Sequence, residues 1–174
     1  MSINIASSHD DALINAPFGK VVITVYENQL AIELLASAST PYSLHLSAQV
    51  EKQSEHPLVK LACQQIMQYF QQPISPFDLP VSQNGSAFQQ RVWQAIAQIP
   101  CGQTRTYGEL AKQIGSGPRA VANACGANQL PLVIPCHRVV AQNGIGGFMQ
   151  GKQHGLQAKQ WLLQHEGVNG FGRE

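Results

Sequence analysis

Paired cysteines and long hydrophobic runs are both missing from this sequence of 174 residues. The four cysteines, at positions 63, 101, 125 and 136, stand singly, and no Cys-x-x-Cys pair occurs. This pattern disfavours both a disulfide framework and a zinc site, so we predict no metal. No apolar run is long enough to cross a bilayer, and the first residues lack the basic start and apolar core of a signal peptide. We therefore expect a protein of the reducing cytoplasm that makes no membrane contact.

Charge is also scarce, at 12% of residues, and it is unevenly distributed. Residues 1–79 hold three Lys/Arg and seven Asp/Glu, a formal charge of −4, whereas residues 80–174 hold eight and three, a charge of +5. One interpretation is chance in a sparsely charged chain. The other is that the second half meets a polyanion, although strong DNA-binding proteins are usually more basic than this.

The first 80 residues predict a small antiparallel sheet with one helix. Apolar runs at 21–26 and 30–35 flank a short polar stretch, which is typical of a β-hairpin. Residues 42–48 alternate between apolar and polar, which predicts a third strand, and residues 1–11 are expected to be loose. Apolar side chains recur at helical spacing across 57–71, so we predict an amphipathic helix there. Cys63 lies on its apolar stripe and is expected to belong to the core.

Prolines mark the connection between two predicted domains, which comprise residues 1–80 and 81–174. Three prolines and a final glycine lie within 72–85, a composition typical of a linker. Ser86 and Thr106 are each followed three residues later by Gln or Glu, so each predicts a capped helix. A glycine turn at 115–117 and a proline at 118 then predict a third helix through residue 127. Two short helices around a glycine turn are typical of a helix-turn-helix.

The third helix carries almost no bulky side chains, because residues 120–127 are mainly alanine and glycine. A tightly packed core helix would also allow small residues. The alternative is a surface helix whose backbone must come close to a partner such as a nucleic-acid groove. Because Arg119 lies in the first turn and the helix belongs to a predicted helix-turn-helix, the sequence favours the two interpretations about equally.

A thiol and an imidazole are adjacent at Cys136 and His137, between apolar residues that are expected to be buried. A free thiol has a pKa of about 8.5, so it is mostly protonated at neutral pH until a base takes its proton. His137 is the nearest candidate base. On an extended strand, neighbouring side chains point in different directions, so we expect a bridging water between the two rather than direct contact.

A carboxylate that orients the imidazole would complete such a site. The last helix is predicted over 156–166, with Leu156, the stem of Lys159, Trp161, Leu162 and Leu163 as its apolar contacts, and Gly167 ends it. Glu166 therefore lies at a helix C-terminus, where the helix dipole disfavours a negative charge. The spacing is consistent with a Cys136–His137–Glu166 relay or with an exposed, solvent-screened glutamate.

These residues together resemble the O6-alkylguanine-DNA alkyltransferases, also called methylated-DNA–protein-cysteine methyltransferases. Residues 134–140 read Ile-Pro-Cys-His-Arg-Val-Val, which is similar to the active-site signature of that family. Further matches follow in order and at compatible spacing at 88–93, 99–107, 119–121, 127–128 and 161–167. The resemblance covers about residues 86–167, and so many ordered pieces are unlikely to coincide by chance.

The resemblance implies an α+β fold and a single-turnover DNA repair reaction. The N-terminal domain would be a ribonuclease H-like sheet with a helix, and the C-terminal domain mostly helical with a helix-turn-helix. A monomer would bind double-stranded DNA in the minor groove and flip the O6-alkylguanine out of the duplex. It would transfer the alkyl group irreversibly to its own cysteine, without a cofactor, and O4-alkylthymine is a further substrate to consider.

The resemblance also implies roles for individual residues. Cys136 would be the nucleophile, His137 its base through water, Glu166 the partner of His137, and Tyr107 a proton donor to guanine N3. Arg119 would fill the gap left by the flipped base. Further residues implied in DNA binding are Ala120, Asn123 and Ala127. Further residues implied as hinge or pocket are Asn128, Val139, Met149, Cys125 and Pro135, with the carbonyls of Cys136 and Val139 accepting from guanine and the amide of Met149 contacting O6.

Two departures from the family pattern concern the loop after the nucleophile. The family usually has a glycine-tyrosine pair there, whereas this chain has Gly147 and Phe148. Residues 152–155 resemble an insertion before the last helix. Because this loop borders the alkyl pocket, the departures affect which alkyl groups are accepted.

Two other functions fit parts of the same pattern. A DNA-binding protein of this fold that senses alkylated bases without repairing them would lack the nucleophilic cysteine, which is present here. A cysteine hydrolase would use the same Cys-His pair, but it would leave the neighbouring helix-turn-helix unexplained.

Overall fold

The computed structural model of the chain describes residues 11–36, 47–148 and 155–170. Its first half contains the strands β1 (Ala12–Ala16), β2 (Gly19–Tyr26), β3 (Gln29–Ala36) and β4 (Gln49–Lys52), followed by helix α1 (Pro57–Gln71). Its second half contains α2 (Ala87–Ala97), β5 (Arg105–Thr106), α3 (Tyr107–Ile114), α4 (Pro118–Gly126), a 3-10 turn (Cys136–Arg138), β6 (Val139–Val140) and α5 (Gly155–His165). The fold is α+β with an antiparallel sheet.

The sheet has the strand order β3-β2-β1-β4, and every neighbouring pair is antiparallel. The predicted hairpin is confirmed as β2 and β3, joined at Glu27 and Asn28, whose φ angles are both positive, as a tight hairpin turn needs. Strand β1 was not predicted. The strand predicted over 42–48 is wrong at 47–48, which precede β4, and its residues 42–46 lie outside the described ranges.

Helix α1 matches its predicted bounds, because a proline at its first position and a continuous apolar stripe define it locally. The ring of His56 accepts a hydrogen bond from the Leu58 amide at 3.2 Å and so caps the first turn. The buried face of the helix packs on the sheet, and the half-buried Cys63 packs against the same core, as predicted. Tyr69, which the predicted stripe omitted, is also buried on this face.

Both predicted capping boxes are present. The hydroxyls of Ser86 and Thr106 accept from the backbone amides of Gln89 and Glu109. The side chains of Gln89 and Glu109 in turn accept from the backbone amides of Ser86 and Thr106. Helix α3 ends at Gly115, whose φ of 72° suits a residue without a Cβ atom. Helix α4 then packs against both α2 and α3, and Val121 and Ala124 face the resulting core.

A short parallel pair, β5 with β6, connects the region around Cys136 to the start of α3. Helix α5 ends at His165, so Glu166 follows the helix instead of ending it. Leu156 is 45% exposed, and its predicted apolar contact is therefore wrong. By contrast Lys159, Trp161, Leu162 and Leu163 are all buried.

Two apolar clusters fill the interior. The first unites the sheet, α1, α5 and the segment before Cys136, and the second unites α2, α3, α4 and Val139. The first cluster contains residues from both sides of the predicted boundary at residue 80. No helix in the described part of the chain is long and apolar enough to cross a membrane.

Candidate active site

Cys136 begins a tight turn instead of lying on an extended strand, so that part of the sequence interpretation is wrong. Pro135 has φ −79° and ψ 64°, and the Cys136 amide donates to the Ile134 carbonyl at 2.7 Å, which together form an inverse γ-turn. The next three residues make one 3-10 turn. The thiol is 8% exposed, which leaves it nearly enclosed at the edge of a cavity.

Asn128 is the polar neighbour of the Cys136 sulfur. Its Nδ2 donates to Sγ at 3.3 Å and to the Ile134 carbonyl at 2.9 Å. Its Oδ1 accepts from the Leu130 amide at 3.0 Å and from Gln83 Nε2 at 2.7 Å. Gln83 is a site residue that the sequence interpretation missed. Burial raises the pKa of Cys136, with Asn128 and the charge of Lys159 opposing this, so the resting sulfur is a protonated thiol.

His137 is buried and paired with Glu166. Its Nε2 lies 2.5 Å from Glu166 Oε2, which places the ring proton on Nε2. Its Nδ1 is buried and has no hydrogen-bond partner among the described residues. Burial lowers the pKa of His137, although Glu166 opposes the shift, so the ring is neutral at rest. A neutral ring with a bare Nδ1 can accept a proton.

The Glu166 carboxylate accepts from donors on several segments of the chain. Oε2 accepts from His137 and from the Tyr69 hydroxyl at 2.7 Å, and Oε1 accepts from Arg138 Nε at 2.7 Å and the Gly102 amide at 3.4 Å. Burial alone would raise the pKa of Glu166. The hydrogen bonds and charges of His137 and Arg138 outweigh that effect and hold the pKa well below the usual carboxyl range. The glutamate is therefore buried and ionised, not exposed.

Lys159 is a second residue whose role the sequence interpretation missed. Its side chain is fully buried, and Nζ donates to the Val139 carbonyl at 2.7 Å and the Gly147 carbonyl at 2.8 Å. Burial lowers the pKa of Lys159 to about 8, although the nearby thiols oppose the shift. The ammonium thus ties the strand after Cys136 to the following loop and places a positive charge near the sulfur.

Tyr107, at the start of α3, lies against the same loop. Its hydroxyl donates to the Gly147 carbonyl at 3.3 Å, and burial is the main reason that its pKa rises to about 12. Gly146 makes this approach possible, since a Cβ atom there would lie 2.8 Å from the tyrosine ring. The phenol therefore stays protonated and available as a donor.

A cavity of about 470 Å³ opens beside the Cys136 thiol. Its lining includes Cys125, Asn128 and Phe148, together with β3 residues 31–34 from the sheet. Burial and the nearby Cys136 raise the pKa of Cys125 to about 12. Met149 lies outside the described residues. Within the described ranges, no group of three His, Cys, Asp or Glu side chains could hold a metal ion.

Helix α4 has one packed face and one open face, so the core interpretation holds for part of its small residues and the approach to a partner stays a prediction for the rest. Val121 and Ala124 are buried, and the Trp93 ring donates to the Ala124 carbonyl at 2.8 Å. The opposite face carries the exposed Arg119 and Asn123 and the half-buried Ala120 and Ala127. This open face begins at a positive side chain and continues over small residues.

Comparisons with known proteins agree on one family. Residues 87–168 match the family model described as 6-O-methylguanine DNA methyltransferase, DNA binding domain. A constitutive methylated-DNA–protein-cysteine methyltransferase of Bacillus subtilis is 35% identical over 156 residues, which cover 88% of this chain and 92% of that protein. A methylated-DNA–protein-cysteine methyltransferase of Shigella flexneri is 45% identical over 105 residues, but the match spans 60% of its length.

The fold matches as well. The crystal structure of Mycobacterium tuberculosis OGT in complex with DNA superposes with a TM-score of 0.70 at 31% identity. The superposition covers 91% of this chain and 93% of that one. The similarity therefore extends through both halves of the molecule.

Proposed function

Because this chain belongs to the family of methylated-DNA–protein-cysteine methyltransferases, we propose that it repairs DNA by transferring the alkyl group of O6-alkylguanine to Cys136. The observation that carries the proposal is the buried thiol at the edge of a cavity, next to a neutral imidazole whose other nitrogen is bound to an ionised carboxylate. This is the arrangement that a thiol nucleophile needs when it is not already a thiolate.

In the proposed reaction His137 Nδ1 takes the thiol proton through a water molecule, and Glu166 stabilises the resulting imidazolium. The sulfur attacks the alkyl carbon, a sulfur–carbon bond forms and the carbon–O6 bond breaks. Tyr107 gives its proton to guanine N3, so the base leaves in neutral form, and the proton taken up by His137 returns through solvent to the tyrosinate. Because a thioether is not readily reversed, each molecule reacts once.

The open face of α4 supports a minor-groove interface with double-stranded DNA. In this proposal α3, the turn at 115–117 and α4 act as a helix-turn-helix, and Arg119 fills the gap left by the flipped base. Small side chains at Ala120 and Ala127 let the helix backbone approach the duplex, and Asn123 contacts it. Asn128 accepts from the Leu130 amide and donates to the Ile134 carbonyl, and in this proposal it is the hinge between α4 and the nucleophile.

The cavity would hold the flipped base. The Val139 carbonyl, which accepts from Lys159, and the Cys136 carbonyl would also accept from the guanine amine. Cys125 lines the cavity, and the pocket roles of Pro135 and Met149 stay predictions. The monomeric state, the cytoplasmic location, the ribonuclease H-like assignment and the domain boundary at residue 80 stay predictions.

Intact-mass spectrometry tests the proposal after incubation with a duplex that contains one O6-methylguanine. We expect a stoichiometric gain of one methyl group in place of one hydrogen, and no gain in Cys136→Ser. An unchanged mass together with tight binding would instead indicate a lesion-sensing protein, and repeated turnover of an ester or amide would indicate a hydrolase.

A further inference from the structure

The carboxylate that supports His137 also accepts a hydrogen bond from a side chain of the N-terminal half. Glu166 Oε2 accepts both from His137 Nε2 at 2.5 Å and from the Tyr69 hydroxyl at 2.7 Å. Tyr69 lies on α1, 97 positions before Glu166. The N-terminal half therefore contacts the same oxygen atom that supports the base.

Packing fixes the position of this hydroxyl. Tyr69 is 1% exposed, and its ring lies 5.7 Å from the Phe77 ring and 5.2 Å from the His165 ring, centroid to centroid. The His165 Nε2 also lies 2.8 Å from the Tyr69 carbonyl, which ties the α1 backbone to the end of α5. A phenol held in this way cannot leave the carboxylate without opening the core.

The hydroxyl can act only as a donor here. Burial raises the pKa of Tyr69 well above its ordinary value, and the charge of Glu166 raises it further. A hydrogen bond from a neutral donor stabilises the ionised carboxylate and fixes Oε2 in the direction of the imidazole. Arg138, the charged side chain that donates to Glu166, binds the other oxygen, Oε1.

We propose that Tyr69 is a positioning residue for alkyl transfer, and that it acts through Glu166 on His137. The inference rests on the proposed function, because it assigns a role within the same reaction. It also gives the N-terminal half a part in the chemistry that folding alone would not require. By holding one lone pair of Oε2, the hydroxyl limits how strongly the carboxylate attracts the proton of the imidazolium, so His137 stays neutral to a lower pH.

The pH dependence involves every titratable group around this carboxylate. These groups lie on α1, on the segment before β5, on the 3-10 turn and on α5, and they are Tyr69, Cys101, His137, Arg138, Lys159 and His165. We assign the acid limb of the rate profile to His137, because it is the group that takes up the thiol proton in the proposed reaction.

Tyr69→Phe removes the hydroxyl and keeps the ring. The test is the single-turnover rate of methyl transfer from a duplex with one O6-methylguanine, measured across the range in which imidazole titrates. We expect the plateau rate to fall about tenfold, as for loss of one hydrogen bond to a charged group. We also expect the acid limb to move to higher pH, because the freed Oε2 attracts the imidazolium proton more strongly.

Phe70→Leu is the matched control, since Phe70 neighbours Tyr69 on α1 and packs in the same aromatic cluster without a polar atom. The reaction amplitude counts the folded molecules, so misfolding lowers the amplitude and leaves the rate of the reacting molecules unchanged. We expect Phe70→Leu to keep the wild-type rate and acid limb.

Two results would overturn the inference while leaving the proposed function intact. One is a wild-type rate and acid limb in Tyr69→Phe. The other is an equal slowing of both variants with no movement of the acid limb. If the wild-type protein itself gains no methyl group in the same experiment, the proposed function fails.

Discussion

At the residue scale, the charge on Glu166 is stabilised by donors from α1, from Gly102 in the segment before β5, and from the 3-10 turn. A buried carboxylate is costly unless it is paired and hydrogen-bonded, and here both conditions are met. The same bonds set the tautomer of His137 and leave Nδ1 as the acceptor. The proton path therefore depends on buried ionisation states, which pH can change.

The first prediction concerns the stability of the protein at acidic pH. Because burial lowers the pKa of His137, the unfolded chain binds that proton at a higher pH than the folded one, so stability falls as the pH drops below the ordinary imidazole range. Glu166 acts in the same direction at lower pH, since its depressed pKa gives stability that is lost as the carboxylate is protonated. Urea unfolding at a series of pH values measures both effects.

Glu166→Gln provides the control for that series, because it removes the titrating carboxyl. We expect the variant to lose the part of the slope that lies in the carboxyl range. The transfer rate of the wild type should fall on the same acid side, as His137 becomes charged. A stability that increases on acidification below neutral pH would contradict this description of the site.

The second prediction concerns Lys159. Lys159→Met leaves the carbonyls of Val139 and Gly147 without their buried donor, which should lower the free energy of unfolding by about 2 kcal/mol. Methyl transfer should also slow, because the loop after Cys136 loses its connection to α5. Urea unfolding and the single-turnover rate measure the two effects.

Lys60→Met is the matched control, since Lys60 is exposed and forms a surface pair with Glu55 at 3.7 Å. Such pairs contribute about 0–1 kcal/mol. Equal losses in the two variants would show that the buried ammonium has no special role.

The sequence predicts the reacting residues better than the residues that hold them in position. A cysteine beside a histidine in an apolar setting indicates chemistry through residue type alone, and Glu166 stands out by its position against the helix dipole. Lys159 falls on an apolar helix face, where the sequence pattern assigns its stem to the core, and Tyr69 lies on α1 outside the predicted stripe. Their polar atoms reach the site only because tertiary packing brings distant segments together. The one available signal was a lysine within the apolar stripe of α5.

At the element scale, the residues of α4 lie on two faces with different surroundings. Val121 and Ala124 pack inside, and Arg119, Ala120, Asn123 and Ala127 form the open face that we assign to DNA. Under the proposed function, one face of this helix contributes to stability and the other to binding.

The third prediction uses this separation. Ala120→Leu adds bulk to the open face, so we expect weaker binding to duplex DNA with little change in thermal stability. Because the added bulk holds the helix backbone away from the duplex, we expect the affinity to fall about tenfold, which equals the loss of about 1.4 kcal/mol of binding free energy. Fluorescence anisotropy with a labelled duplex gives the affinity. Ala97→Leu, at an exposed alanine of α2, is the control and should bind like the wild type; a similar loss in both variants would remove α4 from the interface.

Local signals predict the elements that local physics determines. Helix α1 and the two capped helices follow from periodicity, proline position and capping chemistry. The β5–β6 pair does not, because a two-residue strand has no periodicity and its partner lies far along the chain. The 3-10 turn at Cys136 was missed for a related reason, since its apolar neighbours are equally typical of a buried strand.

At the scale of the whole molecule, the two halves share one interior. The first apolar cluster joins the sheet and α1 to α5 and to Leu130 and Leu132, and the Tyr69–Glu166 bond crosses the same region. Neither half can unfold without exposing the apolar surface of the other.

The fourth prediction is a single unfolding transition. The two tryptophans report separate clusters, because Trp161 packs with Phe18 and Phe70, while Trp93 packs beside α4. Each of the variants Trp93→Phe and Trp161→Phe keeps one tryptophan. In both, the fluorescence of that tryptophan and the far-UV circular dichroism should change at the same urea concentration. Transitions that separate in either variant would show that the halves unfold independently.

The most direct test of the central claim is the location of the methyl group, because the cavity is lined by two thiols, Cys125 and Cys136. The protein is incubated with a duplex that contains one O6-methylguanine, digested, and mapped by peptide mass spectrometry. We predict one methyl group per molecule, located on Cys136 and absent from Cys125, which fragment ions distinguish because no Lys or Arg lies between the two cysteines. Methyl on Cys125, or no methyl on a protein that binds the duplex, would contradict the assignment of Cys136 as the acceptor.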